Sequence, residues 1–304
     1  MSAPRTGSVL DDGRWAALLT RRAFEPDAVA AAWATRRRRP MLRSADERLF
    51  VVAADHPARG ALAVGADPLA MADRRGLLTR LLTALAHPRV DGVLATPDVL
   101  DELVLLGALD DVLAIGSLNR GGIAGAVWEL DDPVTAHDVP AVLAQGLDGL
   151  KMLLRLDVGD PGTLSTITAC AAAVSACAAA GVPAVVEPLP YHRVEGNLVL
   201  ERTAPALVRA VAVAAGLGSS SAHTWLKLPA WEFTEQACAA STLPVLVLGG
   251  APSGDLAADL ASWGRALAVP TVRGLVVGRA LLYPPDGDVH AAVDAAARVL
   301  AAAS

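Results

Sequence analysis

Short, mostly apolar runs alternate with longer segments of helical character from residue 49 onward. Runs of this kind are typical of strands buried on both faces, as in a parallel sheet that is covered by helices. The predicted strands are Leu49–Ala54, Gly92–Ala95, Val112–Ser117, Leu150–Leu156, Ala184–Glu187, Thr224–Leu228, Val245–Gly249 and Gly274–Val277. Predicted helices between them include Pro68–Ala86, Pro161–Ala180, Pro205–Gly216, Glu232–Ala240 and Asp255–Ala268.

This alternation predicts an α/β protein, and more specifically a single (β/α)₈ TIM barrel over residues 46–304. Eight strand–helix units are the number that closes such a barrel, and a barrel of this kind takes about 250 residues. An open, doubly wound sheet is the alternative. It is disfavoured because Asp55-His56-Pro57 follows the first strand, where a dinucleotide-binding fold carries a glycine-rich turn.

Residues 1–45 have a different pattern and predict a short helical N-terminal extension. Asp11–Arg22 and Pro26–Arg37 are two short amphipathic segments that end before Pro40. We expect them to pack on the barrel or on a neighbouring subunit. The basic run at residues 36–39 is interpreted as a solvated helix end or linker, with contact to an anion or a partner as the alternative.

Composition narrows the class of protein. The formal net charge of −6 and the pI near 5.5 disfavour nucleic-acid binding, which requires a basic face. Mean hydropathy is +0.42, but no stretch of about 20 residues lacks charges and turn residues, so we expect no membrane span. The 3 cysteines show no metal-ligand spacing, and the first residues lack a signal-peptide pattern. A cytoplasmic location is expected.

The two lysines are the most informative residues of the chain. Lys and Arg total 26, but only Lys151 and Lys227 are lysines. Arginine keeps its proton in proteins, whereas a desolvated lysine can lose it and become a nucleophile. Both lysines lie among polar residues at or after predicted strand ends, where barrel enzymes place their chemistry. That set comprises Asp55, His56, Thr96, Ser117, Asn119, Arg120, Lys151, Arg155, Asp157, Glu187, Lys227, Gly249, Gly250, Gly278 and Arg279.

Lys227 is the candidate nucleophile. If Leu226 and Leu228 face the helices, strand alternation turns Lys227 into the barrel, where desolvation favours the uncharged amine. The alternative is a structural lysine in a buried ion pair with Glu187 or Asp55. Because alternate strands fill the same layer of a barrel, Lys151 is expected beside Lys227.

The other polar residues near Lys227 each have more than one possible role. Lys151 either disfavours protonation of its neighbour, binds a substrate phosphate or hydroxyl, or pairs with a carboxylate. Glu187 and Asp55 are both candidates for general acid or base, and either could instead balance the lysine charges. For His56, a packed or hydrogen-bonded histidine is favoured over a proton shuttle.

A phosphate site is predicted at Gly249, Gly250, Gly278 and Arg279, after the seventh and eighth strands. Loops there offer backbone N–H groups in many barrels, and an arginine fork grips phosphate. Asn119 begins a loop that could hold substrate or be an ordinary turn, and Arg155 is a further candidate substrate contact. No His, Cys and carboxylate cluster has metal spacing, so we expect neither a metal nor another cofactor.

Short motifs in order along residues 45–285 resemble the class I aldolases that form a Schiff base. They are Ala53-Ala54-Asp55-His56, Lys151-Met152-Leu153-Leu154-Arg155-Leu156-Asp157, Val186-Glu187-Pro188-Leu189, Leu226-Lys227, Val247-Leu248-Gly249-Gly250 and Val276-Val277-Gly278-Arg279. The branch includes tagatose-bisphosphate, archaeal-type fructose-bisphosphate and deoxyribose-phosphate aldolases. The resemblance implies that Lys227 forms the Schiff base, with Lys151, Glu187 and Asp55 in the other catalytic positions.

The whole chain also resembles an actinobacterial group of aldolase-like barrels associated with myo-inositol breakdown. That resemblance implies a substrate such as 2-deoxy-5-keto-gluconate 6-phosphate, cleaved to dihydroxyacetone phosphate and malonate semialdehyde. Pro57 departs from the glycine that many relatives carry at this place. We therefore expect a homo-oligomeric aldolase acting on a small sugar phosphate. The alternatives are a (β/α)₈ isomerase or transaldolase-like enzyme, or a non-catalytic sugar-phosphate-binding barrel.

Overall fold

Eight parallel strands close into a barrel in the computed structural model, which describes residues 10–250 and 252–303. The strands of the described residues are β1 (Leu49–Ala53), β2 (Gly92–Ala95), β3 (Leu113–Ser117), β4 (Gly149–Leu156), β5 (Ala184–Val194), β6 (Asn197–Leu200), β7 (Thr224–Pro229), β8 (Val245–Leu248) and β9 (Val272–Val277). All except β6 belong to the barrel, which closes where β4 pairs with β5. The predicted single (β/α)₈ barrel is confirmed.

Helices surround the barrel and precede it. They are α1 (Asp12–Phe24), α2 (Asp27–Thr35), α3 (Arg74–Ala86), α4 (Pro97–Leu105), α5 (Val139–Gln145), α6 (Gly162–Ala180), α7 (Ala204–Ala215), α8 (Thr234–Cys238), α9 (Leu256–Leu267), α10 (Arg279–Leu282) and α11 (Val289–Ala302). The predicted helix at Pro68–Ala86 begins only at Arg74, because the Asp73 side chain caps it by accepting from Arg75 N at 3.1 Å.

The barrel strands bury one set of side chains against the helices and the other inside the barrel. Leu226 and Leu228 belong to the core between the sheet and the helices. Val185, Leu246 and Val276 belong to the separate apolar layer inside the barrel. Strand alternation therefore turns Lys227 inward, as the sequence predicts.

Strand β5 is longer than predicted, because it continues past Glu187 and leaves the barrel. Its outer half pairs in antiparallel fashion with β6, and Tyr191 lies opposite Leu200. The connecting turn uses Glu195 and Gly196, with φ of 49° and 83°. This hairpin adds a wall beside the C-terminal end of the barrel.

The N-terminal helices pack on the barrel helices, and α2 contacts α4 and α5. Trp33 Nε1 donates to Asp101 Oδ1 at 2.9 Å, which ties α2 to α4. The interpretation of residues 36–39 as a solvated end is wrong for Arg36 and Arg39, whose side chains are 1% and 3% exposed. Asp148 accepts from Arg36, and Asp91 accepts from Arg39 at 2.6 Å. Both acids directly precede barrel strands, so their placement depends on the closed fold.

Helix α6 is the one helix of the described residues that is long and apolar enough to cross a membrane. It contacts β4 and β5, with Cys170, Val174 and Cys177 buried. A core helix of a soluble protein passes the same test of length and composition.

Candidate active site

A cavity of about 660 Å³ opens at the C-terminal end of the barrel strands. Parallel strands in a barrel all present their carboxyl ends at one face, so side chains distant in the sequence meet there. The lining includes nearly all of the residues predicted for the site: Asp55, His56, Lys151, Arg155, Glu187, Lys227, Gly249, Gly250, Gly278 and Arg279.

Two lysines and two carboxylates form a continuous chain of ion pairs, called here the tetrad: Asp55, Lys151, Glu187 and Lys227. Lys227 Nζ lies 3.0 Å from Glu187 Oε1, and Lys151 Nζ lies 2.5 Å from Glu187 Oε2. Lys151 Nζ also donates to Asp55 Oδ2 at 3.1 Å. The four side chains are at most 8% exposed.

Asp55 is held from several sides at once. Arg120 Nη1 lies 3.1 Å from Asp55 Oδ2, and Ser117 Oγ donates to the same oxygen at 3.2 Å. Arg120 Nη1 also donates to the Asp55 backbone oxygen at 2.8 Å. Since Lys151 contacts Oδ2 as well, this oxygen has little capacity left to accept a proton.

The tetrad shifts the pKa values of its members. Burial lowers the pKa of Lys151 to about 8, although Asp55 and Glu187 oppose the shift. Burial alone would raise the pKa of Glu187, but Lys151 and Lys227 outweigh it and hold that pKa at about 2. The pKa of Asp55 lies well below its ordinary value, because Lys151 and Arg120 outweigh the effect of burial. Both carboxylates are therefore ionised at neutral pH.

The predicted phosphate residues meet at one side of the cavity, after β8 and β9. Arg279 is the first residue of α10, and its Nε is buried without a hydrogen-bond partner among the described residues. At Gly278 a β-carbon would lie 2.4 Å from the Ala53 oxygen, so close strand packing alone requires glycine there.

His56 stands next to this side of the cavity. A β-carbon at Gly278 would lie 3.1 Å from its Cε1, and its Nδ1 is 3.9 Å from Asp55 Oδ1. Burial lowers the pKa of His56 to about 3, with Asp55 opposing the shift. The imidazole is therefore neutral at physiological pH and adds no charge to a phosphate site.

The structure does not bring Asn119 to the cavity. Its side chain accepts from Leu153 N at 2.8 Å and donates to Leu153 O at 2.6 Å, so it clamps the loop after β3 to β4. Arg155 does line the cavity, but its guanidinium is taken up by Glu129 and by the oxygen of Gly122. Both residues hold the loop after β3 in place.

Several lining residues were not part of the predicted site: Arg59, Glu129, Tyr191, Arg202 and Trp231. Arg120 also lines the cavity; the sequence placed it among the polar residues after β3 but gave it no separate role. Arg59 lies in a short turn after β1, and Tyr191 and Arg202 belong to the unpredicted hairpin region. Pattern alone gives no signal for these residues, because the fold decides which loops bend over the cavity.

The described residues contain no group of three or more His, Cys, Asp or Glu side chains that could hold a metal ion. The site contains a buried amine beside a carboxylate, in a cavity that further cations line. Such an arrangement can form a covalent imine with a carbonyl compound, move protons through Glu187, and bind anionic oxygens.

Solved structures place this fold among known barrels. The crystal structure of Cgl0159 from Corynebacterium glutamicum matches with a TM-score of 0.94 at 48% identity, over 97% of this chain and 99% of that chain. An archaeal fructose 1,6-bisphosphate aldolase matches with a TM-score of 0.62 at 18% identity, over 90% and 98%. At that identity the likeness extends to the fold alone.

Another structure is an archaeal fructose-1,6-bisphosphate aldolase with its catalytic lysine covalently bound to the carbinolamine intermediate of the substrate. It matches with a TM-score of 0.63 at 17% identity, over 90% of this chain and 99% of that chain. No curated protein sequence matches this chain. The model of the Cgl0159-like family matches residues 47–297, which is most of the 304-residue chain. The protein therefore belongs to the Cgl0159-like family.

Proposed function

We propose that this protein is a class I aldolase that uses Lys227 to form a Schiff base with a phosphorylated ketose-like substrate. One observation carries the proposal. The Lys227 amine is buried at an open cavity, 3.0 Å from Glu187, whose other oxygen is 2.5 Å from Lys151. The fold likeness to aldolases with a catalytic lysine supports the same chemistry.

The first stage is imine formation. Glu187 takes the proton of the Lys227 ammonium, and the free amine attacks the substrate ketone to give a carbinolamine. Lys151 donates a proton to the carbinolamine hydroxyl, which leaves as water, and a protonated imine remains on Lys227. Glu187 then passes its proton to Lys151, 2.5 Å away, so that Glu187 is a carboxylate again before the next stage. Lys151 is suited to this step because its pKa of about 8 lies near neutral pH.

The second stage is cleavage of the C3–C4 bond. A carboxylate removes the proton of the hydroxyl β to the ketone, which is on C4 when the ketone is C2 and on C3 when the ketone is C5. The bond electrons move into the imine, and an aldehyde leaves while an enamine stays on Lys227. We assign the base to Glu187 rather than Asp55, because Glu187 lies 3.0 Å from the Lys227 nitrogen on which the imine forms, whereas the lysine that Asp55 contacts is Lys151. Protonation of the enamine and hydrolysis of the imine release the second product and restore the amine.

In this proposal, Gly249, Gly250, Gly278 and Arg279 hold the substrate phosphate. The unpartnered Arg279 Nε and the backbone N–H groups of the glycine turns suit an anion. The substrate implied by resemblance, 2-deoxy-5-keto-gluconate 6-phosphate, carries a phosphate beside a ketone and is the first compound to test. No cofactor takes part in this scheme.

Borohydride reduction in the presence of substrate, followed by mass spectrometry, tests the mechanism. We expect one reduced adduct on Lys227 and none in Lys227→Arg, which keeps a cation beside Glu187 but cannot form an imine. An adduct on Lys151 would contradict the assignment. A trapped adduct without cleavage would favour an isomerase or transaldolase-like enzyme. Ligand binding that survives Lys227→Ala, with no turnover in the parent, would favour a binding protein.

The proposal includes assembly into a homo-oligomer in the cytoplasm. Size-exclusion chromatography with light scattering on the purified chain measures its mass in solution. A mass near 31 kDa, that of one chain, would contradict the oligomer.

A further inference from the structure

Two arginines on the β1 and β3 side of the cavity have an unused hydrogen-bond donor. Arg59 Nε and Arg120 Nη2 are both buried and have no hydrogen-bond partner among the described residues. Both residues line the cavity, with side chains 7% and 6% exposed. Buried donors are nearly always satisfied in proteins, so an unsatisfied pair at a cavity points to a ligand that accepts from it.

The rest of each guanidinium is held rigidly. Arg120 Nε donates to Asn119 O at 2.7 Å, and its Nη1 donates to Asp55 O at 2.8 Å. Arg59 Nη1 donates to Gly122 O at 2.7 Å, and its Nη2 donates to Asn119 O at 2.9 Å. The free donors are therefore fixed before any ligand arrives, which reduces the entropy lost on binding.

The charges on this side of the cavity leave one positive charge in excess. The tetrad is balanced, with two lysines and two carboxylates. Three arginines, Arg59, Arg120 and Arg155, stand beside two further acids, Asp132 and Glu129, which pair with Arg59 and Arg155. One added monoanion would neutralise this buried group. A carboxylate matches that charge, whereas a phosphate dianion would exceed it.

The position of this group relative to the phosphate side is set by the barrel. Arg120 follows β3 and Arg279 follows β9, and β1 and β2 lie between those strands in the sheet. Lys227 extends from β7, on the far side of β9 from β1. A substrate whose phosphate lies at Arg279 and whose carbonyl reaches Lys227 can thus turn its other end toward Arg120.

We propose that Arg120, assisted by Arg59, is a specificity-determining residue that binds a carboxylate at the end of the substrate remote from the phosphate. The substrate class is then a phosphorylated keto acid. This inference rests on the proposed aldolase function and deepens it, because it assigns the group that the cavity selects opposite the phosphate.

Aldol addition with dihydroxyacetone phosphate as donor tests the role in turnover. Malonate semialdehyde carries the carboxylate, and 3-hydroxypropanal is its neutral counterpart. We expect the parent to prefer the acid, and Arg120→Gln to lose about 30-fold or more in kcat/KM for the acid, mainly through KM. The neutral aldehyde should lose less than the acid, because it shares only the loss that follows from the contact of Arg120 with Asp55, so the preference for the acid should fall at least about tenfold. Arg120→Lys, which keeps the charge, should restore part of the preference.

Two results in this assay would overturn the proposal. One is a parent enzyme that does not distinguish the two aldehydes. The other is an equal loss on both aldehydes in Arg120→Gln, since a residue that acts only by holding Asp55 affects every substrate alike. Thermal unfolding of each variant, measured in parallel, separates either result from a loss of the folded protein.

Binding of 3-hydroxypropionate, measured by calorimetry, tests the subsite without turnover. We expect the parent and Lys227→Arg to bind it, Arg120→Gln to bind at least about tenfold more weakly, and 1,3-propanediol not to bind. Equal binding by the parent and Arg120→Gln, or none by the parent, would overturn the subsite. Should the carboxylate depend on Arg120 while borohydride traps nothing on Lys227, the aldolase proposal fails and the subsite stands.

Discussion

The two ends of the barrel use the same kinds of charged side chain in opposite ways. At the N-terminal end, every arginine of residues 36–39 lies within ion-pair distance of a carboxylate. At the C-terminal end, cations outnumber the acids beside them, and Arg59, Arg120 and Arg279 each keep a buried nitrogen without a partner among the described residues.

This difference separates charges whose partners lie within the fold from charges on cavity-lining residues that keep a nitrogen without a partner among the described residues. Asp148 directly precedes β4, and it accepts from Arg36, from Arg38 at 3.0 Å and from Ala114 N at 2.8 Å. Its hydrogen-bonding capacity is met inside the protein. A buried cation whose hydrogen-bonding capacity is not met is costly unless a ligand supplies the missing partner. We call the N-terminal end of the barrel the matched end and the C-terminal end the unmatched end, and we expect function at the unmatched end.

The largest effect should come from Lys227 itself. Lys227→Arg keeps the positive charge beside Glu187 but removes the nucleophile. We expect kcat to fall at least about 10³-fold, with a thermal midpoint close to that of the parent. Steady-state kinetics and calorimetric unfolding measure the two quantities. Retained turnover would mean that the unmatched end does not work through an imine at this residue.

A change at the matched end should affect stability and spare activity. Asp148→Ala leaves the buried Arg36 without its carboxylate, and we expect the free energy of unfolding to drop by about 3–5 kcal/mol. Denaturant unfolding measures the change, and kcat per folded molecule should stay near the parent value. Arg37→Gln is the matched control, because Arg37 is 65% exposed, and we expect its denaturation midpoint to stay close to that of the parent.

Asp55→Asn tests the opposite case, an acid at the unmatched end. We expect a loss of about 10²-fold in kcat/KM, because the amide no longer balances Lys151 and Arg120. Lys151 is protonated below its pKa of about 8, so activity that needs its proton falls as the pH rises through that value. The Asp55 charge raises the pKa of Lys151, and the substitution should therefore move the alkaline limb to lower pH. An alkaline limb at the same pH in parent and variant would show that Lys151 does not cause it.

The smallest effect should appear at Arg279. Arg279→Gln removes a guanidinium from the predicted phosphate side, and KM for a phosphorylated substrate should rise about 10-fold to 100-fold with little change in kcat. Arg38→Gln at the matched end is the control, since its side chain is 56% exposed and lies far from the cavity along the strands. Equal KM values in parent and Arg279→Gln would contradict the phosphate assignment.

The sequence by itself was sufficient for the barrel and for the inward side of its strands. Runs such as those around Leu226 and Leu228 are apolar because those side chains face helices, and strand alternation then turns Lys227 inward. The extension of β5 into a hairpin was missed. Pairing with β6 begins only at Tyr191, beyond the part of β5 that the barrel buries. A hydrophobic pattern reveals strands through their periodicity and burial, so it gives little signal for this exposed half.

The partners of the charges were decided by the tertiary structure alone. Asp55, Lys151, Glu187 and Lys227 are far apart in the chain and meet only because parallel strands present their ends at one face. The same holds at the other end of the barrel. The run of arginines by itself indicates a solvated segment, but two of these arginines are buried in ion pairs with the acids that precede β2 and β4. Periodicity is a local property written along the chain, whereas charge pairing depends on which distant residues the closed barrel brings within reach.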